Sequence, residues 1–452
     1  MQGRILIKDL KKHIGEEIII AGAVDLRRDH GKLIFIDLRD YTGTVQMVIN
    51  KKNEQAYNIF ESIKPEWVLK INGLVKQRTE NTINENVLNG ELEIEVLGGE
   101  ILNVAEELPF EKDTKDINLD TYLNYLPLTL RTARAKAIFK IQSQIVKSFR
   151  DFLIQQDFTE IQAPKIIGED AEGGANTFSF DYFDNVAHLA QSPQFYKQIM
   201  VGVFERVFAT GNVYRAEPHS TTRHINEYTS LDFEMGFIEN HETIMEMETK
   251  LMAFIMKELE KNCGPDFLCL GSEIPVVPQK IPTMKLREAQ ELIKKETDED
   301  CTNEPDLDPA HERWLCEYAT QNLGSEFIFI THYPASKRPM YTYEDEADPG
   351  FTKSFDLLFR GIEITTGGQR IHDYAKLVAS IEKKGLDASK FSYYLQAFKY
   401  GMPPHGGLAI GLERLTEKLA GVENIREATL FPRDMHRIDN LLTHETKKEK
   451  KI

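Results

Sequence analysis

Short runs rich in β-branched and aromatic residues recur along the whole chain, and helical patterns interrupt them at irregular intervals. A parallel sheet would require regular alternation, because each crossover between parallel strands is usually a helix. The irregular order therefore predicts the α+β class, with an antiparallel sheet flanked by helices. With 452 residues, the chain is too long for one compact domain, and we expect two or three domains.

The first domain is predicted over residues 1–105, where turn signals separate five strand-like runs. These runs are Glu17–Val24, Leu33–Leu38, Thr44–Ile49, Val68–Val75 and Glu91–Leu97. Five short strands in a segment of this length suit an oligonucleotide-binding barrel (OB-fold), and another small β-barrel or sandwich is the alternative. Residues 106–135, which contain Pro109 and Pro127, are expected to form a linker or hinge.

The second domain is predicted over residues 136–452, and a helix predicted at Ala133–Gln156 leads into it from the linker. Further helices are expected at His241–Asn262, Leu286–Lys295, Asp308–Gln321 and Tyr374–Lys384. Strands are expected at Val203–Tyr214, Ser230–Ile238, Phe327–Tyr333, Phe355–Thr365 and Gly406–Ile410. An acidic insertion at about 262–326, with stretches such as Glu296–Asp300, is best explained as a solvated surface.

Charge and composition exclude several classes of function. The net charge is −17, from 55 basic and 72 acidic side chains. This charge argues against sequence-independent binding to a phosphate backbone, but it does not exclude an RNA partner that binds a local basic face. The four cysteines form no Cys-x-x-Cys pair, so a zinc cage or disulfide framework is not indicated. Apolar runs such as Ile18–Val24 are too short to span a bilayer, and we expect a cytoplasmic protein with no membrane partner.

One segment suggests a nucleotide site, although the P-loop and Rossmann patterns are absent from the sequence. Arg215 and Glu217 are two residues apart and are expected to share one strand face, followed by a loop that bears Arg223 and His224. A guanidinium can hold the α-phosphate of ATP in a bidentate manner, and a carboxylate can accept a hydrogen bond from the adenine amino group. A surface strand with an ion pair is the alternative for these two residues.

The second such segment is the glycine-rich run Gly406–Leu415 near the C-terminus. Its glycines permit close approach of the backbone, and Arg414 would face the triphosphate from the side opposite Arg215. Two opposed cations can spread the negative charge that develops when pyrophosphate leaves. The two segments in this order are far more specific than either alone.

Together these segments resemble the signature motifs of the class II aminoacyl-tRNA synthetases. The stretch ending Thr159–Pro164 resembles motif 1, the Arg215 segment motif 2, and Gly406–Arg414 motif 3. Gln191–Gln198 and Glu363–Asp373 are similar to blocks of the aspartyl enzymes with the archaeal and eukaryotic architecture. The resemblance covers essentially the whole chain.

The resemblance implies ATP-dependent ligation of L-aspartate to tRNA(Asp) through an aspartyl-adenylate, with release of pyrophosphate and then AMP. It also implies Mg²⁺ and a homodimer with Pro164 at the interface. The implied catalytic residues are Arg215 and Arg414. The implied aspartate-binding residues are Glu172, Gln194, Lys197, Arg215, Asp232, Thr366 and Arg370. The implied ATP contacts are Arg215, Ala216, Glu217, Arg223, His224, Ile225, Glu363, Gly411, Leu412, Glu413 and Arg414.

The same resemblance gives the metal ligands and the tRNA contacts. Glu363 and Thr366 would hold Mg²⁺, with Thr366 at a position that is often Ser. The predicted anticodon residues are Phe35, Gln46 and Glu93, with Arg27, Arg28 and Arg39 available to phosphates. A core aromatic is the alternative for Phe35, and His405 could serve a turn or the active site.

Several alternatives stay open or are disfavoured. Two cations, Lys197 and Arg370, suit a side-chain carboxylate, which disfavours an asparaginyl enzyme. Ala23 stands where several relatives carry Trp, so an enzyme that charges both tRNA(Asp) and tRNA(Asn) is the main alternative. Retention of Arg215 and Arg414 disfavours an inactive RNA-binding paralogue, and the N-terminal barrel disfavours a tRNA-independent ligase that makes asparagine.

Overall fold

The computed structural model describes residues 2–84, 89–112, 117–168, 176–218 and 221–439. The predicted site residue Glu172 and the basic tail Lys447–Ile452 lie outside this described part. The chain divides into two compact units, Met1–Lys112 and Asp113–Ile452. The first unit continues past residue 105 because the Trp67 indole donates to the Ala105 carbonyl at 3.0 Å and the Lys112 ammonium contacts Glu66 at 2.9 Å.

The first unit is a closed five-stranded barrel with the strand order β1-β2-β3-β5-β4. Its strands are β1 Glu17–Asp29, β2 Leu33–Arg39, β3 Thr44–Asn50, β4 Val68–Gln77 and β5 Leu92–Asn103, with helix α1 Glu54–Phe60 between β3 and β4 and 3₁₀ turns at Ile7–His13 and Glu80–Thr82. Residues alternate along the strands, so that Ile34, Ile36 and Leu38 are buried inside the barrel. The predicted OB-fold is confirmed.

The second unit is built on an eight-stranded sheet with the order β12-β13-β14-β15-β16-β11-β10-β6. Its strands are β6 Thr159–Glu160, β10 Arg206–Tyr214, β11 Glu227–Gly236, β12 Thr283–Lys285, β13 Phe327–Thr331, β14 Ser354–Phe359, β15 Ile362–Gln369 and β16 His405–Gly411. The pairs between neighbours are antiparallel except at the two edges, where β6 and β12 run parallel to their neighbours. A separate three-stranded sheet contains β7 Ile166–Ile167, β8 Ser179–Tyr182 and β9 Asn185–Leu189.

Helices cover one face of the large sheet and leave part of the other face open. The helices are α2 Leu119–Asn124, α3 Leu126–Thr129, α4 Ala133–Gln155, α5 Gln194–Phe204, α6 His241–Leu270, α7 Leu286–Thr297, α8 Pro309–Leu323, α9 Tyr374–Lys383, α10 Ser392–Lys399 and α11 Leu412–Ala420, with 3₁₀ turns at Ala388–Phe391 and Ile425–Ala428. The main core joins apolar residues of α4 and α6, such as Phe149 and Ile255, to Phe233 of β11. Helix α6 thus packs against the sheet, and this core fixes the strands that carry the site.

Two predicted strands have different limits in the structure. Residues 203 and 204 belong to helix α5, because the helix continues until Glu205 takes a positive φ of 62° and ends it. The predicted strand Phe355–Thr365 is a hairpin of β14 and β15, because Arg360 and Gly361, with φ values of 45° and 86°, reverse the chain.

The acidic insertion is ordered and has a small core of its own. Helices α7 and α8 bury Leu286, Ile293, Leu315 and Cys316 against strands β13 and β14. Among the described residues, no helix is both long enough and apolar enough to cross a membrane.

Candidate active site

A cleft of about 570 Å³ opens on the polar face of strands β11, β15 and β16. Strand β11 shows why it lies there. Leu231 and Phe233 point into the core, and the alternate residues Ser230, Asp232 and Glu234 point to the opposite face. The predicted residues that line the cleft are Gln194, Lys197, Arg215, Glu217, Arg223, His224, Ile225, Glu363, Thr366, Arg370, Gly411, Glu413 and Arg414.

Four buried charged side chains form one cluster at the floor of this cleft, and we call it the floor cluster: Lys197, Asp232, Glu234 and Arg370. The Lys197 ammonium lies 3.0 Å from Asp232 Oδ1 and 3.4 Å from Glu234 Oε2, and Arg370 Nε donates to Glu234 Oε1 at 2.8 Å. Burial raises the pKa of Glu234, but the cations Arg370 and Lys197 outweigh it and hold this pKa below its usual value. The floor cluster therefore places two basic side chains beside two carboxylates in a desolvated place.

A glycine of the motif 3 strand makes room for the floor cluster. A Cβ atom on Gly407 would lie 2.3 Å from Glu234 Oε2 and 2.2 Å from the Phe233 carbonyl oxygen. Any larger residue would displace the carboxylate that holds Arg370.

A chain of hydrogen bonds fixes Gln194 beside the floor cluster. Gln194 Nε2 donates to Gln198 Oε1 at 2.9 Å, and the Tyr394 hydroxyl donates to the same oxygen at 3.0 Å. Gln198 Nε2 in turn donates to His405 Nε2 at 2.9 Å, which leaves His405 Nδ1 to donate to the Pro403 carbonyl at 2.9 Å. Burial lowers the pKa of His405 to about 4, so the imidazole is neutral. His405 therefore supports Gln194 from behind and does not reach the cleft.

Arg215 and Glu217 lie in a loop, and the prediction that they share a strand face is wrong. Strand β10 ends at Tyr214, its last residue paired with β11. Beyond it the chain is held by Asn226, whose side-chain amide donates to the Arg215 carbonyl at 2.7 Å and to the Glu217 carbonyl at 3.3 Å. The structure nevertheless brings the Arg215 guanidinium within 3.5 Å of the Glu217 carboxylate.

The next loop places two more basic side chains at the cleft. His224 Nε2 lies 3.9 Å from the Glu217 carboxylate, and its Nδ1 is hydrogen-bonded to the Thr221 hydroxyl at 2.6 Å. Arg223 lines the cleft nearby. Four predicted ATP contacts of this segment therefore converge at one end of the cleft.

Strand β15 and helix α11 form the opposite wall. Thr366 donates from Oγ1 to Glu363 Oε1 at 2.8 Å, and Arg414 Nη1 donates to the Glu363 carbonyl at 3.1 Å. Burial raises the pKa of Glu363, but the charge of Arg414 and the Thr366 hydroxyl outweigh it and lower this pKa. The two predicted metal ligands thus present oxygen atoms to one another.

Two acidic site residues were missed in the sequence. Glu234 belongs to the floor cluster, and Asp356 of β14 pairs with Thr366 across the sheet and accepts from Arg338 Nη2 at 2.7 Å. Burial raises the pKa of Asp356 to about 6. A signal existed for both, because Asp356 is the one carboxylate of the apolar strand β14 and Glu234 lies two residues after Asp232 in β11, on the same face of that strand.

Leu412, Ala216 and Pro164 do not line the cleft, whereas Glu413 lines it but is bound to the backbone. Leu412 packs into the core, and the Ala216 amide donates to the Asn176 carbonyl at 2.6 Å. Glu413 accepts the Thr229 amide at 3.0 and 3.1 Å, and burial raises the pKa of this carboxyl to about 7. Pro164 is exposed beyond the edge strand β6.

The three predicted anticodon residues share the outer face of the barrel. Phe35 is half-buried and contacts His30 edge to face, with ring centroids 5.4 Å apart. Gln46 Nε2 lies 3.5 Å from Glu93 Oε2 on the adjacent strand. Phe35 is not part of the barrel core, so its alternative as a core aromatic is not supported.

The barrel arginines correct one prediction. Arg39 is buried and donates from Nη2 to both oxygens of Glu66 at 2.5 Å, so it is not available to phosphates. Arg28 donates to Asp37 at 2.9 Å and Arg27 to Asp29 at 3.0 Å, both at or near the surface.

The arrangement suits transfer of a nucleotidyl group to a small acid. The floor cluster offers cations to a side-chain carboxylate, and Arg215 and Arg414 both line the cleft. Glu363 and Thr366 supply the hard oxygen ligands that Mg²⁺ prefers. Such a site accelerates a reaction by holding the reactants in line and neutralising charge.

Comparison with known proteins supports this interpretation of the cleft. Residues 118–435 match the family of class II tRNA synthetases (D, K and N), and residues 18–102 match the OB-fold nucleic acid binding domain. The chain is 46% identical over 438 residues to an aspartate–tRNA(Asp/Asn) ligase of Thermus thermophilus, which covers 96% of this chain and 99% of the relative. It is 37% identical to an aspartate–tRNA(Asp) ligase of Pyrococcus abyssi, over 94% of this chain and 96% of the relative.

Among solved structures, the asparaginyl-tRNA synthetase of Pyrococcus horikoshii bound to asparaginyl-adenylate superposes with a TM-score of 0.89 at 27% identity, covering 97% of this chain and 100% of that one. The sequence identity along nearly the whole chain, the two matched domains and the residues of the cleft all indicate the same family. The chain belongs to the aspartyl branch of the class II tRNA synthetases.

Proposed function

We propose that this enzyme joins L-aspartate to tRNA(Asp) in two steps. The aspartate α-carboxylate attacks the α-phosphorus of ATP, which forms aspartyl-adenylate and expels pyrophosphate. A 3′-terminal hydroxyl of the tRNA then attacks the activated carbonyl and releases AMP. The floor cluster carries this proposal, because Lys197 and Arg370 are the buried cations that a side-chain carboxylate needs.

The resemblance to the family gives each group a role. Gln194, Lys197 and Arg370 would bind the aspartate side chain, while Asp232 and Glu172 would bind its ammonium group. Arg215 would hold the α-phosphate and Arg414 would face it from the other wall, so that the charge of the leaving pyrophosphate is neutralised from both sides. No protein side chain acts as a nucleophile.

The oxygen atoms of the opposite wall fit Mg²⁺. Glu363 and Thr366 lie together, and Asp356 Oδ1 beside them is buried with no hydrogen-bond partner in the described part of the chain. These residues would hold the ion, which would supply positive charge to offset the charge of the ATP phosphates.

The unit Met1–Lys112 is the proposed anticodon-binding domain, with Phe35, Gln46 and Glu93 as the contact face. The proposed enzyme is a cytoplasmic protein. It forms a homodimer through the region of Pro164. This homodimer is supported by the exposed apolar side chains of the neighbouring small sheet, Ile166, Phe183 and Val186. Sedimentation of the purified chain tests the dimer.

A second candidate is an enzyme that charges tRNA(Asn) with aspartate as well. The Thermus relative is named as a ligase for both tRNA(Asp) and tRNA(Asn), which favours this candidate. Ala23, where several relatives carry Trp, lies opposite Arg39 on the neighbouring barrel strand. Aminoacylation of two transcripts with aspartate, one for each anticodon, separates the candidates. We expect charging of the tRNA(Asp) transcript and pyrophosphate exchange that depends on aspartate and not on asparagine. Absence of aspartate-dependent exchange would refute the proposal.

A further inference from the structure

The acidic insertion supplies one side chain, Glu312, that contacts a residue of the cleft. Glu312 lies in the first turn of α8, where Asp308 caps the helix by accepting the amides of Ala310 and His311 at 2.7 and 2.9 Å. A helix N-terminus favours negative charge, so the fold stabilises a carboxylate at this position.

Glu312 is paired with one of the cations of the cleft. Arg223 Nη2 donates to Glu312 Oε2 in a short charge-assisted hydrogen bond, and only 18% and 12% of the two side chains are exposed. Burial raises the pKa of Glu312 to about 7. The charges of Arg223 and Arg414 oppose this effect, whereas that of Glu363 adds to it. The groups that act on Glu312 are therefore those of the ATP site.

The helix that carries Glu312 is fixed to the strand that carries Glu363. A Cβ atom on Gly361 would lie 2.9 Å from Arg313 Cγ, so α8 packs directly on the turn before β15. Cys316 is buried, and its sulfur contacts the backbone of Gly361 and Ile362 at the same turn. The position of Glu312 relative to the opposite wall is thus set by the core of the unit and not by a loop.

We propose that Glu312 is a positioning residue for the outer phosphates of ATP and acts through Arg223. A guanidinium has five N–H donors in a rigid plane. Glu312 holds one edge of that plane, so that the remaining donors of Arg223 face the cleft. The identification of the ligand as ATP rests on the proposed function, and the insertion thereby gains a part in adenylate formation.

The test compares ATP with AMP, which lacks the outer phosphates. Dissociation constants are measured by titration calorimetry without aspartate, for the wild type, for Glu312→Gln and for the control Glu317→Gln, an exposed carboxylate on the same helix. In Glu312→Gln we expect the constant for ATP to rise about tenfold, the size of one charge-assisted hydrogen bond, and the constant for AMP to stay unchanged. The control should bind both nucleotides as the wild type does.

A second pair of variants tests whether Glu312 acts through Arg223. In an Arg223→Ala background, adding Glu312→Gln should change ATP binding no further. Unchanged or tighter ATP binding in Glu312→Gln, an equal loss for AMP, or additive losses in the double variant would each overturn the inference. Because aspartate is absent, a failed amino-acid assignment leaves this readout intact.

Discussion

The barrel and the catalytic cleft each contain a buried arginine–glutamate pair, and the two pairs differ in what surrounds them. In the barrel, Glu66 accepts from Arg39 and from Lys112, and its oxygens are saturated by these neighbours. In the cleft, Glu234 binds Arg370 and Lys197 at the floor of a space of about 570 Å³. A buried ion pair is therefore no sign of a functional site by itself, whereas a buried pair that borders a cavity is.

The largest expected effect comes from removing a cation of the cleft. Lys197→Met leaves Asp232 and Glu234 close together without their shared cation, which costs about 3–5 kcal/mol in comparable buried pairs. We expect a loss of about 10³-fold in kcat/KM for aspartate in pyrophosphate exchange. The melting temperature should fall as well, because Lys197 is only 1% exposed.

Lys257→Met is the matched control, since this lysine is exposed on α6. It should leave both exchange and melting temperature unchanged. Exchange at the wild-type rate in Lys197→Met would contradict the assignment of the cleft.

Breaking the barrel pair should affect stability and leave adenylate formation intact. The pKa of Glu66 is lowered from 4.5 to about 2, where its bonds to Arg39 and Lys112 outweigh burial. Because this pKa is depressed in the folded state, the pair stabilises the barrel above pH 4.5, by about 3 kcal/mol, and the gain disappears as the pH falls towards 2.

The measurement is urea unfolding of Glu66→Gln from pH 7 to pH 2, followed by the fluorescence of Trp67. The second tryptophan, Trp314, is replaced by Phe in both proteins so that the signal reports the barrel. The difference between wild type and variant should be largest near neutral pH and vanish in acid. Loss of pyrophosphate exchange in Glu66→Gln would contradict the assignment of a purely structural role to the barrel pair.

The smallest effect is expected on the outer face of the barrel. Phe35→Leu removes a ring that can stack on a base, which contributes about 1–3 kcal/mol. The KM for tRNA(Asp) should rise about tenfold, while exchange without tRNA is unchanged. Tyr57→Leu, an aromatic that packs against the barrel core, is the control and should not alter the KM. An unchanged KM in Phe35→Leu would remove this residue from the tRNA interface.

Local patterns predicted much of the fold. Helix α4 starts at Ala133 as predicted, because the Thr132 side chain accepts the Ala135 amide and caps it. The barrel strands follow from alternation of apolar and polar residues. The errors occur where a local pattern is ambiguous, as at residues 203 and 204, which are apolar in a helix that precedes a strand.

Some residues of the site were predicted and others were not, because many contacts of the site join segments that are distant in the sequence. The two motifs and their order predicted that Arg215 and Arg414 share one cleft, and both residues line it. They did not show that Arg39 is paired with Glu66, 27 residues away, or that Arg223 contacts Glu312, 89 residues away. Such pairs depend on how elements pack, which one sequence does not reveal.

Strand β11 has one side in the main core and the other in the floor cluster, and this has a consequence for how the protein can evolve. Replacing a buried ion pair by apolar residues of similar volume is often stabilising. Here the same replacement would remove the groups that recognise the amino acid. Selection for a more durable protein and selection for accurate translation therefore act in opposite directions on Asp232 and Glu234, and lineages that adapt to heat would have to gain their stability at other positions.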